Sequence, residues 1–170
     1  MMKKNHLAHL GRMALVLLSL VILLGARRAS AQFAGPAASP ASALSIPAAQ
    51  LVQPAELAKM LALPAAERPL VFQVGSRVFF AQAHIPGSVY AGPGSQPAGL
   101  ELLASKVAKV KKDQLIVLYC GCCPWNRCPN VAPALQKLLG LGFTNVKVLY
   151  LASNFGDDWV AKNLPVERDE

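Results

Sequence analysis

The chain has 170 residues, with 17 lysines and arginines against 9 aspartates and glutamates, for a formal net charge of +8. Five of the basic residues (Lys3, Lys4, Arg12, Arg27 and Arg28) and none of the acidic ones fall in the first 31 positions, so the remainder carries 12 against 9, a net charge of +3. That surplus is too small and too dispersed for a nucleic-acid binder.

Residues 1–31 read as a secretory signal peptide. They have a basic start, an uncharged and mostly apolar stretch from Met13 to Gly25, and a small-x-small cleavage site at Ala29-Ser30-Ala31. The mature chain then begins at Gln32 and is exported, to the periplasm. The apolar stretch falls short of the ~20 residues of a membrane span, and no cysteine follows it for lipid attachment. Arg27 and Arg28 leave an uncleaved anchor as the alternative, and only then does the chain meet a membrane. Residues 32–50 carry no charge and are rich in Ala, Pro and Ser, which reads as a tether that need not pack. Residues 51–170 suffice for one domain with one core.

Within that domain, Pro54–Leu61 has proline at a first helical position and apolar residues at helical spacing. Leu70–Val74 is a short apolar strand. Arg77–Ala83 is a helical turn, His84–Ser88 a turn, and Val89-Tyr90 a brief strand. Residues 91–99, with three glycines and two prolines, form a loop. Leu100, Leu103, Val107 and Val110 share one face of a second helix, whose lysines are a solvated face and exit. Gln114–Tyr119 is apolar without alternation, as for a strand buried on both faces of a parallel sheet. A helix follows over Asn130–Leu141, starting near Cys128 to Asn130 because Pro133 is tolerable only in a first turn; Gly140 and Gly142 end it. Asn145–Leu151 is the last clear strand, and Asp157–Lys162 a short helix before Leu164-Pro165-Val166. Strands alternating with helices predict a three-layer α/β domain with a mainly parallel central sheet.

All four cysteines, Cys120, Cys122, Cys123 and Cys128, lie within nine residues, directly after the Gln114–Tyr119 strand. A strand, a cysteine-bearing loop and a helix present a thiolate at the carboxyl edge of a sheet. Loop and helix-start N–H groups are expected to converge on one sulfur.

The order of these pieces resembles the rhodanese-like family over about Val52 to Val166. "AHIPGSV" (Ala83–Val89) is similar to the family's "GHIPGA". "LIVLYC" delivers a cysteine, "GFTNVKVLY" (Gly142–Tyr150) resembles "G-[FY]-x-x-V-x-x-L", and Trp159 with Leu164-Pro165-Val166 resembles the "W…G-x-P-V" ending. The resemblance implies sulfur transfer. A loop cysteine takes sulfane sulfur from thiosulfate or a persulfide, loop N–H groups such as that of Gly121 cradle it, and cyanide or a thiol accepts it. Position at the strand end makes Cys120 the nucleophile. Cys122 is the runner-up, because Cys122 to Arg127 has the family's four intervening residues whereas Cys120 to Arg127 has six. Related phosphatases on this fold have five, which neither cysteine provides. Arg127 would hold an anionic donor or be a solvated charge, and Trp125 would line the donor pocket or simply pack. His84 and Gly87 belong to a structural turn. Neither cofactor nor resident metal is implied. Two departures stand out: Gln73-Val74-Gly75 replaces the family's Asp-x-Arg, and Ala152-Ser153-Asn154 replaces its paired glycines.

Cys122, Cys123 and Cys128 would resolve the persulfide or form a redox dithiol. The cluster could instead bind a soft metal or staple the loop by a disulfide, though not readily between the adjacent Cys122 and Cys123. Phe155 and Trp159 are expected in the core.

Overall fold

The computed structural model describes residues 46–169. The leader read over 1–31, and the tether up to residue 45, lie outside the described residues. At the described end of that tether, Ala48–Gln50 makes one 3-10 turn and Ile46 packs on the core.

The elements in chain order are β1 (Leu51–Val52), α1 (Pro54–Leu61), β2 (Leu70–Gln73), α2 (Arg77–Gln82), β3 (Val89–Tyr90), α3 (Pro97–Lys106), β4 (Ile116–Tyr119), α4 (Val131–Gly140), β5 (Val146–Leu149) and α5 (Phe155–Asp158). The five strands form one sheet in the order β1-β5-β4-β2-β3. Every pairing in it is parallel, with Phe72 opposite Leu118 and Leu118 opposite Val148 at its centre.

β4 explains both the architecture and the position of the cysteines. Its four residues are all buried, because side chains of a central strand leave alternately toward two covered faces. Ile116 and Leu118 pack with α3, α4 and Phe143, while Val117 and Tyr119 pack with α1, α5 and Trp159. The alternation continues one residue past the strand, so Cys120 falls on the α3/α4 side, in contact with that core and only 4% exposed. Trp159 is fully buried on the other side, donates its indole N–H to the Pro165 carbonyl at 2.7 Å, and stacks on Phe155.

The α/β fold with a parallel sheet is the one expected from the alternation of elements, and the boundaries differ in instructive places. β1 was not anticipated: two residues carry no periodicity, and the strand exists because Leu51 and Val52 pair with Val148 and Leu149. The loop after β3 ends earlier than expected, since α3 begins at Pro97, where the missing N–H of proline costs nothing. Val107 and Val110 lie beyond the end of α3 yet still meet the core. The last helical stretch is broken at Trp159 into α5 and a 3-10 turn, Val160–Lys162. Gly140 is the final residue of α4, and Gly142 follows its Leu141 cap.

The tail closes over the turn after α2. His84 and Glu167 exchange backbone hydrogen bonds of 2.9 and 2.8 Å, and the Asp169 N–H donates to the Ala81 carbonyl at 3.1 Å.

Candidate active site

The chain after β4 does not enter α4 directly. Gly121 has φ +79°, a left-handed conformation that favours glycine, and a Cβ there would come within 2.8 Å of the Phe155 Cβ. The loop then makes a 3-10 turn over Trp125–Arg127 before α4 starts at Val131. Two backbone bonds pin it to the segment after β5: Phe155 N–H to the Gly121 carbonyl at 3.0 Å, and Trp125 N–H to the Ala152 carbonyl at 3.1 Å. Trp125 also packs against the Tyr150 ring, with centroids 5.0 Å apart.

Below the loop, Gln73 ends β2 in a fully buried position. Its side-chain amide donates to the Cys120 carbonyl at 3.1 Å and its carbonyl accepts the Gly75 N–H at 3.1 Å. Gly75 itself lies so close that a Cβ would meet the Cys120 carbonyl oxygen at 2.9 Å and the Cys120 Sγ at 3.0 Å. Gln73 and Gly75 thus seat the base of the cysteine loop.

Four free thiols occupy the loop. Cys120 Sγ is 3.0 Å from Cys122 Sγ, and Cys122 Sγ is 3.3 Å from Cys123 Sγ. Asn130 precedes α4 in a capping position, but its side chain caps nothing in the helix. Its Oδ1 accepts the Ser95 N–H at 3.0 Å, leaving Nδ2 to donate to Cys120 Sγ at 3.2 Å and, more distantly, to Cys122 Sγ at 3.9 Å.

This arrangement splits the thiol acidities. Cys122 is lowered to about 6, chiefly because the Cys120 thiol donates to it; burial opposes the shift, and Cys123, the Cys122 N–H and Asn130 assist it. Cys128 is also lowered to about 6, by hydrogen bonding from Cys120 against burial, then by the N–H groups of Asn130 and Val131. Cys120 is raised, because it is the proton donor to both neighbours and is buried. Cys123 is pushed up to about 12, by burial first and then by its hydrogen bond to Cys122. Cys120 has only one proton to give and cannot serve both neighbours at once; Cys122 is the one whose sulfur lies 3.0 Å away. The expected convergence of N–H groups on a single sulfur is therefore not what forms: the start of α4 serves Cys128, and the strand-end thiol serves Cys122.

A cavity of about 370 Å³ opens beside the loop. Gly121 and Cys122 line it, with Phe79 and Ala83 from α2 and its exit and Asn154 and Phe155 from the segment after β5. Cys120, Trp125 and Arg127 are not in its wall. Arg127 is exposed on the 3-10 turn. Phe155 is both core and cavity wall. His84 sits behind, buried, with Nδ1 2.9 Å from the Phe80 carbonyl and its ring stacked on Phe80 at 4.0 Å. The Gly87 N–H donates to the Glu167 carboxylate at 3.0 Å. The Tyr119 hydroxyl accepts the Ile85 N–H and bonds to Ser88 Oγ, both at 3.2 Å, and burial raises its pKa to about 12. These contacts tie the turn to the end of β4.

Gln73 and Asn130 escaped sequence reasoning for different reasons. Gln73 stood out only as a missing acid, and Asn130 only as a helix-start residue type. Chemically, the loop offers a cavity-lining thiol of lowered pKa backed by a buried thiol whose pKa is raised. The sulfurs of Cys120, Cys122 and Cys123, all within 4.8 Å of one another, are also close enough to gather about one soft metal ion.

The chain is similar to several solved structures, two of them as follows. The BH2092 protein of Bacillus halodurans is 24% identical, with a TM-score of 0.53, covering 69% of this chain and 75% of its own. The Alr3790 protein of Anabaena sp. is 20% identical, with a TM-score of 0.52, covering 69% of this chain and 82% of its own. At such identities the likeness concerns the fold. No curated protein matches the chain. The family profile described as Rhodanese-like domain matches residues 53–151, a span from the residue before α1 to just past β5 that holds the whole cysteine loop, and the chain belongs to that family.

Proposed function

We propose that this protein is a sulfurtransferase whose loop carries sulfane sulfur as a cysteine persulfide, and that Cys122 is the carrier. The observation behind the choice is that Cys122 alone of the four cysteines lines the cavity, with its sulfur 3.0 Å from that of Cys120 and its pKa lowered to about 6. That contact favours the thiolate, the nucleophilic form. The strand-end position favours Cys120, but its burial and raised pKa weigh against it. In the first half-reaction the Cys122 thiolate bonds to the outer sulfur of thiosulfate, the S–S bond of the donor breaks, and sulfite leaves with the bonding pair. In the second, a thiol or cyanide attacks the outer persulfide sulfur and the Cys122 thiolate departs. No cofactor is needed for either.

The test is intact mass spectrometry of reduced, desalted protein after thiosulfate treatment, followed by cyanide. Release of sulfite, absent in Cys122→Ser, is expected, together with gain in Cys120→Ser of one sulfur atom that cyanide removes. Gain retained in Cys122→Ser and lost in Cys120→Ser would transfer the carrier role to the strand end. A second reading, soft-metal binding, has the close packing of three sulfurs in its favour. A metal retained in native mass spectra of the untreated protein, with no uptake of sulfur by any variant, would replace the first reading with this one.

A further inference from the structure

The Cys120–Cys122 contact carries more than thiolate stabilisation. Resting on the persulfide reading, we propose that sulfur accepted on Cys122 is expelled as sulfide by Cys120, which closes a Cys120–Cys122 disulfide. The protein is then a sulfide-releasing reductase of sulfane sulfur that turns over with a thiol or dithiol reductant.

The two sulfurs lie 3.0 Å apart, so about 1 Å of approach makes the bond of ~2.05 Å. Their surroundings differ in the way the reaction requires. Cys122 lines the cavity, and Cys120 is buried and outside its wall. A persulfide's outer sulfur takes the open side, and Cys120 meets the inner sulfur from within the protein, opposite the bond to be broken. Cys123 is nearly as close, at 3.3 Å, but it is the adjacent residue, and closing that pair strains the backbone. Gly121, between the reacting pair, already has a backbone open to left-handed conformations.

The balance is complete within the site. The persulfide on Cys122 is an anion and Cys120 is a thiol. The Cys120 sulfur bonds to the Cys122 sulfur, the bond between Cys122 and the outer sulfur breaks, and the Cys120 proton passes to the departing sulfur, which leaves as hydrosulfide. The outer sulfur is reduced and the two cysteines are oxidised to a disulfide. A dithiol then restores both thiols by exchange and is itself oxidised.

The experiment mixes the fully reduced, desalted chain with one equivalent of thiosulfate in the absence of reductant, then measures sulfite, sulfide, intact mass and the mapped disulfide. The wild type is expected to yield sulfite and sulfide in equal amounts, to lose two hydrogens in mass, and to carry a Cys120–Cys122 bond. Cys120→Ser and Cys120→Ala, each checked for native circular dichroism, are expected to yield sulfite, keep the added sulfur and release no sulfide. A wild type that holds the extra sulfur, or a disulfide mapped to another pair, overturns the proposal without need of any variant. So does sulfide released at the wild-type yield by either variant. No sulfite from the wild type overturns the persulfide reading itself and the proposal with it, so the two failures differ.

Discussion

One sulfur–sulfur contact organises the cysteine cluster. At 3.0 Å, Cys120 and Cys122 shift each other's acidity in opposite directions, Cys122 downward and Cys120 upward, and Asn130 supplies a donor to both sulfurs, nearer to Cys120. The consequence is a pH dependence of opposite reach at two adjacent residues. An acid with lowered pKa is present as the anion above that pKa, so alkylation of Cys122 by iodoacetamide is expected to rise through about pH 6 and to level off above it. Cys123, pushed up to about 12, is expected to stay slow across the same range. Peptide mapping after timed alkylation reads both. A Cys122 midpoint at the ordinary thiol value would remove the acidity on which the carrier assignment leans. None of this was legible in the order of residues. Spacing placed Cys122 with four residues between it and Arg127, and Cys120 at the strand end, but no spacing rule says which thiol has the lower pKa.

At the scale of elements, the reverse holds for β4. Its unbroken apolar run announced a strand covered on both faces, and Ile116 through Tyr119 are buried on both. The loop after it was not legible, because its path is set by partners thirty residues away. Gly121 takes its left-handed turn against Phe155, and the Trp125 N–H finds the Ala152 carbonyl. Gln73 likewise is a strand residue whose role appears only once β2 and β4 are side by side. Gly121→Ala tests this dependence. It forces a side chain into a positive φ, at a cost of order 1–3 kcal/mol, and pushes on the Phe155 Cβ at 2.8 Å. The urea midpoint is expected to fall accordingly and sulfur uptake at the neighbouring Cys122 to slow. An unchanged midpoint would mean the loop repacks freely.

Over the whole molecule, two separate layers of core share one sheet, and the reactive loop hangs where they meet. Cys120 belongs to the layer under α3 and α4, while Phe155, against which Gly121 turns, belongs to the layer with Trp159. Trp159→Ala is expected to cost about 3–5 kcal/mol, the range for removing a large buried aromatic, in urea unfolding followed by circular dichroism. It is also expected to broaden Cys122 reactivity because Phe155 loses its stacking partner; a loss below about 1 kcal/mol would show that the layer closes over the gap. The expected order of strands and helices was readable across this scale, since alternation and turn residues are local. The pairing of β1 with β5 was not, since it joins residues nearly a hundred positions apart.

The contacts of Glu167 and Asp169 have a practical corollary. Glu167 and Asp169 bind the turn and the exit of α2, and Phe79 and Ala83 of that same stretch form one wall beside Cys122. Glu167 and Asp169 therefore hold in place the stretch that supplies this wall. A change at Glu167 or Asp169 is thus expected to alter access to the sulfur while leaving every cysteine in place, so the sulfur uptake of such a variant reports on the wall as much as on the thiols.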